Sequence, residues 1–236
     1  MNNIYFDGVG FDLDGTLLDT FRDLGAAVNY ALEIAGLKPV AVETSKDLIG
    51  GGAKIMLAKA VEAQVSMPPD DFRALYKTML KFYSENYAVY TRPYPYAEHV
   101  LKALAKQGTK MAVVTNKFEE FATAALEQLG LSHYFTTIIG GNSMGKDTDG
   151  KYIAKPSPIP ILMAKKQCKS KRFIFVGDST YDVKAAKGAG LPVIAAAYGY
   201  CDREPAELGA DAVIDSLNEL LPCLQKIGKK YYSPSL

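Results

Sequence analysis

Short apolar runs alternate with longer helical patterns along most of this chain, and this alternation constrains its fold more than any other feature. The apolar runs cover residues 9–13, 111–115, 137–139, 173–176 and 193–196. Continuous apolar runs of this length indicate strands that are buried on both faces. The helical patterns between most of them stop at a glycine, as at Gly130 and Gly190. Strands alternating with helices predict an α/β fold with a doubly wound parallel sheet.

Residues 20–90 interrupt that alternation, because they contain several helical patterns and no convincing strand. Apolar residues recur at helical spacing around Leu24 and Ala31 and again around Leu75 and Met79. Packing in a core is sufficient to explain these stripes. We therefore expect a helical domain at 20–90, inserted after the first strand of an α/β core domain that comprises 1–19 and 91–236.

Charge and cysteine content limit the partners and the compartment. The 27 Lys and Arg nearly balance the 26 Asp and Glu, so a net charge of +1 provides no field to hold nucleic acid or an acidic membrane. No stretch approaches the ~18 consecutive apolar residues of a membrane span, and the first residues do not resemble a signal peptide. The three cysteines lack CxxC spacing, which favours a reducing compartment. We expect a cytoplasmic protein with a small-molecule ligand; the oligomeric state is not predicted.

Two aspartates follow the first predicted strand. Asp12 and Asp14 are separated by one residue, so both carboxylates are expected on the same side of the strand. There they repel each other unless a cation or a shared proton relieves them. Ligands of open parallel sheets bind beyond the carboxyl ends of the strands, which makes this pair a candidate site. The alternative is that Asp14 and Gly15 form only a turn with both acids in solvent.

Two other predicted strands also end in polar residues. Thr115 and Asn116 offer a hydroxyl and backbone N–H groups suited to an oxyanion, although either could simply cap the helix that follows. Asp178 and Asp182 are four residues apart and can share one helical face. Their alternative role is capping of a helix whose dipole favours acids in its first turn.

A lysine completes the candidate set. Lys155 lies in a proline-containing loop before another helical pattern, where a fixed ammonium could meet an anion. A lone loop lysine is more often solvated, which is the alternative reading. Each of these signals falls at the predicted ligand edge of the sheet. Together they supply carboxylates, a hydroxyl and a cation.

These motifs, in this order, resemble the haloacid dehalogenase superfamily of aspartate-nucleophile phosphohydrolases. The resemblance covers nearly the whole chain. Its four motifs correspond to Asp12-Leu13-Asp14-Gly15-Thr16, Thr115, Lys155, and Gly177-Asp178 with Asp182. The helical insertion resembles the C1 cap of that superfamily, on a Rossmann-like core. The runs Thr115-Asn116-Lys117 and Pro93-Tyr94-Pro95 are similar to the phosphoglycolate phosphatase group.

The resemblance implies a Mg²⁺-dependent phosphatase that acts on a small phosphorylated metabolite such as phosphoglycolate. Asp12 would attack phosphorus and form an aspartyl-phosphate, which water then hydrolyses. Asp14 would first protonate the leaving oxygen and then deprotonate that water. Thr115, with nearby N–H groups, would hold the phosphoryl oxygens, and Asn116 and Lys155 would also bind substrate.

The same resemblance implies a metal site. Mg²⁺ would be held by the carboxylates of Asp12 and Asp178 and by the backbone carbonyl of Asp14, while Asp182 would steady a ligand of the metal or Lys155. The four carboxylates exceed the charge of Mg²⁺ and Lys155 by one. That excess, increased by the substrate phosphate, favours a proton on Asp14.

Two stretches depart from the family pattern. The polar stretch 142–152 is longer than expected and offers rival lysines at 146 and 151; Lys155 is preferred because Pro156 follows it. In the cap, the glycines at 50–52 stand where relatives carry a specificity loop, yet glycines have no side chain that could select a substrate. Gly51 is expected to line the substrate site, and Lys54, or else Arg22, to bind the substrate.

Three other functions share this pattern. A sugar-phosphate mutase would use Asp12 and Asp14 but pass the phosphoryl group to a second hydroxyl. A dehalogenase needs no Mg²⁺ and lacks the second aspartate of the first motif in the family pattern, so Asp14 disfavours it. A non-catalytic, phosphate-responsive binding module remains open, because fold alone does not establish catalysis.

Overall fold

A six-stranded parallel sheet forms the centre of the protein. The computed structural model describes residues 5–49 and 51–232. The sheet has the strand order β5-β4-β1-β6-β7-β8, and all of its neighbouring strands are parallel. Its strands are β1 (Gly8–Phe11), β4 (Lys110–Val114), β5 (Thr137–Ile139), β6 (Phe173–Gly177), β7 (Val193–Ala196) and β8 (Ala212–Ile214). β1 and β6 are central and completely buried, as their apolar sequences predict.

Helices cover both faces of this sheet. They are α4 (Ala97–Lys106), α5 (Glu119–Gln128), α6 (Ile159–Gln167), α7 (Thr180–Gly188) and α8 (Leu220–Tyr232). Helices α4, α5 and α8 share one hydrophobic cluster with the sheet, and α6 and α7 share another with its other face. The doubly wound α/β prediction is therefore confirmed.

Three strands were not predicted. β8 has only three residues at the edge of the sheet, and its central Val213 is 41% exposed, so it carries no continuous apolar signal. β2 (Leu18–Asp19) and β3 (Arg92–Pro93) have two residues each and pair with one another in an antiparallel ribbon. This ribbon lies where the chain leaves the α/β core and returns to it.

Three helices between the ribbon strands pack around their own hydrophobic cluster. They are α1 (Phe21–Ile34), α2 (Ala53–Glu62) and α3 (Pro69–Asn86). The apolar stripes predicted from helical spacing are buried there: Leu24 and Ala31 on α1 meet Leu75 and Met79 on α3. These helices form the cap above the carboxyl ends of the strands.

The two chain crossings are also tied by a buried carboxylate. Asp23, in the first turn of α1, accepts hydrogen bonds from the backbone N–H of Tyr90 at 3.0 Å and from both the N–H and the hydroxyl of Thr91 at 2.8 and 2.7 Å. Asp23 is 2% exposed. Because these donors precede β3, the start of the cap is held to its end.

No helix in residues 5–49 and 51–232 is suited to cross a membrane. None of the helices there combines sufficient length with sufficient hydrophobicity.

Candidate active site

The carboxyl end of β1 presents the first two candidate residues. Asp12 follows the strand directly, and its backbone N–H donates to the carbonyl of Val176 on β6 at 2.8 Å, which continues the sheet pairing. Its Oδ1 accepts a hydrogen bond from the N–H of Leu13 at 2.7 Å. Asp12 and Asp14 both line the cavity between cap and core. The predicted position of this pair at the ligand edge therefore agrees with the structure.

Lys155 lies between two aspartates. Its Nζ is 2.8 Å from Oδ1 of Asp12 and 2.6 Å from Oδ1 of Asp182, and its side chain is 2% exposed. Burial alone lowers the pKa of Lys155, but the neighbouring charges of Asp12 and Asp182 outweigh it and raise that pKa above its usual value. Lys155 is therefore a buried, charged residue, and the solvated alternative does not apply.

The two partners of this ammonium belong to a cluster of three carboxylates. One oxygen each of Asp12, Asp178 and Asp182 lies within 4.8 Å of the others. Burial raises the pKa of Asp12 to about 7, an increase that Lys155 opposes and that repulsion by Asp182 supports. Burial also raises the pKa of Asp178 well above its usual value, together with repulsion by Asp182 and Asp12. Crowded hard oxygen donors whose charges repel one another are the chemistry that a divalent cation satisfies.

Asp178 is held by two neighbours. Its Oδ1 accepts from the hydroxyl of Thr16 at 2.9 Å, and its Oδ2 accepts from the backbone N–H of Tyr200 at 2.7 Å. The hydroxyl of Tyr200 accepts from the N–H groups of Thr20 and Phe21 at 2.7 and 3.0 Å. Tyr200 thus contacts a candidate metal ligand through its backbone and the first chain crossing through its side chain.

Asp182 is engaged through both of its oxygens. While Oδ1 meets Lys155, Oδ2 accepts from the N–H and the hydroxyl of Ser179 at 3.0 and 2.6 Å, which closes a capping box at the start of α7. The prediction that Asp178 and Asp182 share a helical face is wrong, because α7 begins at Thr180 and Asp178 precedes it. The turn between β6 and α7 brings the two carboxylates together instead.

Thr115 and Asn116 both line the cavity, beyond β4. The N–H of Thr115 donates to the carbonyl of Ile139 at 2.9 Å, and its Oγ1 accepts from the N–H of Lys117 at 3.2 Å. These two backbone donors are therefore engaged within the protein. The Thr115 hydroxyl proton is still available as a donor. Asn116 donates through Nδ2 to the carbonyl of Lys155 at 3.0 Å, which joins two loops of the site.

Lys117 is a site residue that the sequence reasoning missed. Its Nζ lies 2.8 and 2.9 Å from the two carboxylate oxygens of Asp14, and its side chain is 4% exposed. Burial lowers the pKa of Lys117, but the charge of Asp14 reverses this and raises it overall. The predicted excess of negative charge omitted this ammonium, so that charge count was wrong. The available signal was its position two residues after Thr115, in the same strand-end loop.

A small cavity of about 50 Å³ separates the cap from these residues. Its polar lining comes from the ends of β1 and β4, whereas its cap side is mainly apolar. The lining residues are Asp12, Asp14, Leu24, Ile49, Gly52, Ala53, Met56, Tyr76, Leu80, Tyr83, Thr115, Asn116, Lys117, Phe118 and Phe121. The cavity is therefore charged on its core side and hydrophobic on its cap side.

The glycine loop of the cap docks closely on the core. A β-carbon on Gly51 would meet the hydroxyl of Tyr181 on α7 at 2.9 Å, and one on Gly52 would meet the backbone carbonyl of Asn116 at 3.4 Å. Gly52 also has φ +91°, a conformation that favours glycine. Gly50 lies outside the described residues. Close approach therefore explains Gly51, and backbone conformation explains Gly52. Gly52 lines the cavity, whereas Gly51, which was expected there, does not.

Two cap cations predicted for substrate binding are not brought to the cavity. Lys54 is exposed and does not belong to its lining. Arg22 is also exposed, and its guanidinium lies 5.6 Å from the ring centroid of Phe21. Helix α2 begins at Ala53 and turns Lys54 outward, whereas Ala53 itself lines the cavity.

Residues of the polar stretch 142–152 contact α5 and a residue of the cavity lining. Asn142 accepts from the N–H of Glu119 at 2.8 Å and so caps α5, a role that was open for Thr115 or Asn116. The ring of Tyr152 meets that of Phe118, which lines the cavity, at 5.5 Å between centroids. The rival Lys146 lies over Tyr152, 5.0 Å from its centroid, rather than among the carboxylates.

Comparison with known proteins agrees with this geometry. Residues 9–196 match the family of haloacid dehalogenase-like hydrolases. The chain is 37% identical over 217 residues to a phosphoglycolate phosphatase of Agrobacterium fabrum, covering 91% of this chain and 90% of the relative. It is 40% identical over 227 residues to a phosphoglycolate phosphatase of Pseudomonas fluorescens, covering 92% and 79%.

A solved structure shows the same architecture. The crystal structure of a predicted phosphoglycolate phosphatase from Haemophilus somnus superposes with a TM-score of 0.84 at 31% identity, over 93% of this chain and 98% of that one. The family match spans the strands that carry Asp12, Thr115 and Asp178. This chain therefore belongs to the haloacid dehalogenase-like hydrolase family.

Proposed function

We propose that the protein is a Mg²⁺-dependent phosphatase that hydrolyses phosphoglycolate, or a phosphomonoester of similar size and charge, through a phosphorylated Asp12. The observation that carries this proposal is the position of the Asp12 carboxylate. It faces the cavity between cap and core, with Lys155 at 2.8 Å on one side and the Asp14–Lys117 pair beside the same cavity. A nucleophile, an acid–base group and cations are thus assembled in one place.

In the first step, a carboxylate oxygen of Asp12 bonds to phosphorus, and the bond from phosphorus to the leaving oxygen breaks. Lys155 fixes the orientation of Asp12, because its ammonium bridges Asp12 and Asp182. The Thr115 hydroxyl donates to a phosphoryl oxygen. Since phosphoryl transfer depends mainly on positioning and electrostatics, these contacts provide most of what the chain contributes.

Asp14 moves the protons in both steps. It donates a proton to the leaving oxygen and later takes one from the water that attacks the aspartyl-phosphate, so it returns to its starting form. Between the two steps Asp14 is deprotonated. The pair with Lys117 stabilises this form, because the ammonium contacts both carboxylate oxygens.

Asp12, Asp178 and the backbone carbonyl of Asp14 would hold the metal ion. Bound Mg²⁺ supplies Lewis-acid stabilisation of phosphoryl charge. Asp182 is assigned to positioning, since its two oxygens already hold Lys155 and the start of α7. Thr16 and Tyr200 orient Asp178 from behind.

We assign residues 20–90 to a cap domain and 1–19 with 91–236 to the core domain. The β2–β3 ribbon and the contacts of Asp23 place the two crossings side by side, as a hinge requires. Cap motion would admit substrate and then exclude water. Structures with and without a phosphate analogue are expected to differ in cap angle, and an unchanged angle would contradict the motion.

Several observations support the proposed substrate and location. The relatives described above are named phosphoglycolate phosphatases, which supports this substrate. The names also disfavour a mutase. Balanced charge supports a partner other than nucleic acid, and free cysteines at 168, 201 and 223 support the cytoplasm.

The test is release of inorganic phosphate from phosphoglycolate, a sugar phosphate, pyrophosphate and a nucleoside monophosphate, with Mg²⁺ or with chelator. We expect Mg²⁺-dependent release from phosphoglycolate, complete loss in Asp12→Asn with unchanged circular dichroism, and a phosphorylated Asp12 in acid-quenched wild-type protein. Substantial turnover by Asp12→Asn would exclude the nucleophile. Transfer of the phosphoryl group to a sugar hydroxyl would identify a mutase, and binding without turnover a binding module.

A further inference from the structure

The cavity lining is asymmetric in charge. Among the described residues that line the cavity, Lys117 is the one cationic side chain, and apolar groups such as Leu24, Met56 and Phe121 surround the space above it. Lys155 approaches Asp12 from outside this lining. A substrate group that projects from the phosphoryl site toward the cap therefore meets Lys117 and otherwise mostly hydrocarbon.

Tyr83 adds a buried hydroxyl at the same place. This α3 residue is 3% exposed and lines the cavity, and its hydroxyl has no hydrogen-bond partner of ordinary length among residues 5–49 and 51–232. Its ring centroid is 5.0 Å from Nζ of Lys117. Burial raises the pKa of Tyr83 to about 12, against the opposing charge of Lys117, so the group is a neutral donor. A buried hydroxyl without a partner is costly, and a ligand atom would remove that cost.

The Lys117 ammonium has capacity for a second ligand. It carries three N–H donors, and Asp14 accepts from at most two of them. The Tyr83 hydroxyl is a close neighbour of this ammonium and helps to raise the pKa of Lys117, so the third donor and the hydroxyl lie side by side at the cavity. There they can meet the two oxygens of one planar anion. This arrangement requires no loss of the Asp14 contact.

We propose that Lys117 and Tyr83 form the subsite for a carboxylate at the far end of the substrate from its phosphoryl group. The proposal rests on the phosphatase function argued above and specifies what that site selects. A carboxylate matches one ammonium and one neutral donor in charge and in number of oxygens. A second phosphate has a charge of about −2 and three oxygens, so one ammonium and one neutral donor would neither balance its charge nor bind all of its oxygens.

Substrate discrimination by matched variants tests this subsite. The measured quantity is the ratio of kcat/KM for 2-phosphoglycolate to kcat/KM for 2-hydroxyethyl phosphate, which replaces the carboxylate with a neutral group of similar size. We expect wild type to prefer 2-phosphoglycolate and Tyr83→Phe to reduce the ratio about tenfold, because one hydrogen bond to a charged group is lost. Tyr76→Phe removes another hydroxyl from the same cavity lining and is expected to change the ratio less than about twofold.

A second variant covers the cation. Lys117→Met is expected to abolish the preference for 2-phosphoglycolate. Circular dichroism checks that this variant folds. Calorimetry then compares its binding of the non-hydrolysable phosphonoacetate, which has a carboxylate, with its binding of methylphosphonate, which has none. An equal decrease for both substrates in Tyr83→Phe, or an unchanged preference in Lys117→Met, would overturn the subsite. If wild type hydrolyses neither ester, the proposed function itself fails. Hydrolysis of both without preference contradicts only the subsite.

Discussion

The Nζ of Lys117 lies 2.8 and 2.9 Å from the two carboxylate oxygens of Asp14, and only 4% and 13% of these side chains are exposed. Two residues that are 103 positions apart in the chain therefore form an ion pair beyond the carboxyl ends of β1 and β4. The pair neutralises a carboxylate that would otherwise increase the repulsion around Asp12.

Removing one member of this pair leaves an uncompensated buried charge. We predict that Lys117→Met lowers the free energy of unfolding by about 3 kcal/mol. Adding Asp14→Asn should restore much of that loss, since the unpaired carboxylate disappears. Urea denaturation of wild type, both single variants and the double variant gives the coupling energy. A double variant whose loss of unfolding free energy equals the sum of the two single losses would contradict the pairing.

Metal binding should be visible as thermal stabilisation. Mg²⁺ at about 100 times its Kd stabilises the native state by about 2.7 kcal/mol, which raises Tm by several degrees in a chain of this size. We predict that Asp178→Asn loses most of this shift, because Asp178 belongs to the carboxylate cluster. Asp202→Asn removes a carboxylate that binds Thr180 instead and should keep the shift. Equal shifts in both variants would exclude Asp178 as a ligand.

The Tyr200 hydroxyl holds the first chain crossing. It accepts two backbone N–H groups and donates to Asp19 at 2.7 Å. We predict that Tyr200→Phe costs about 2 kcal/mol of stability, because two buried donors lose their partner, and accelerates amide hydrogen exchange at Thr20 and Phe21. Tyr198→Phe removes a hydroxyl that binds the carbonyl of Thr16 and serves as the control. Unchanged exchange at Thr20 and Phe21 would refute this role.

Asp7 gives a pH-dependent prediction at the other end of the sheet. Partial burial alone raises its pKa, but hydrogen bonds from the Ser170 hydroxyl and from the N–H of Arg172 outweigh this and hold the pKa of Asp7 below its usual 3.8. An acid whose folded pKa is depressed stabilises the protein above the unfolded pKa and loses that contribution as pH falls through the folded pKa. We predict that Asp7→Asn lowers Tm near neutral pH, by a small amount because solvent screens this only partly buried carboxyl.

This difference from wild type should narrow below pH 3.8, where the wild-type carboxyl begins to protonate. Thermal melts across that range provide the measurement. Glu85→Gln, at an exposed position of α3, should show no comparable difference at any pH. A difference that stays constant down to the lowest pH would contradict the assignment to ionised Asp7.

Periodicity and strand-end chemistry predicted most of this molecule, since both are local properties. The apolar runs at β1 and β6 and the stripe through Leu75 and Met79 carry their own burial signal. β8 escaped prediction because an edge strand of three residues with a half-exposed centre has no such signal.

Lys117 could not be assigned for a different reason. A lysine after a strand is usually solvated, and only the approach of α3 and of the β1 loop buries this one. The contacts of Gly51 and Gly52 with the core could not be predicted either. Glycines are recognised as close-contact positions only when their neighbours, here Tyr181 and the Asn116 carbonyl, are known. Asp182 was found by its motif, but its bond to Lys155 depends on the loop that carries that lysine.

The strand order has a consequence for synthesis of the chain. β1 is the first core strand to leave the ribosome, yet its sheet neighbours are β4 and β6. Its second edge therefore has no native partner until residue 177 has been translated. The cap helices, in contrast, contact one another within one continuous segment. The cap helices can thus pack together on the nascent polypeptide before β6, β7 and β8 are available to complete the sheet beside β1.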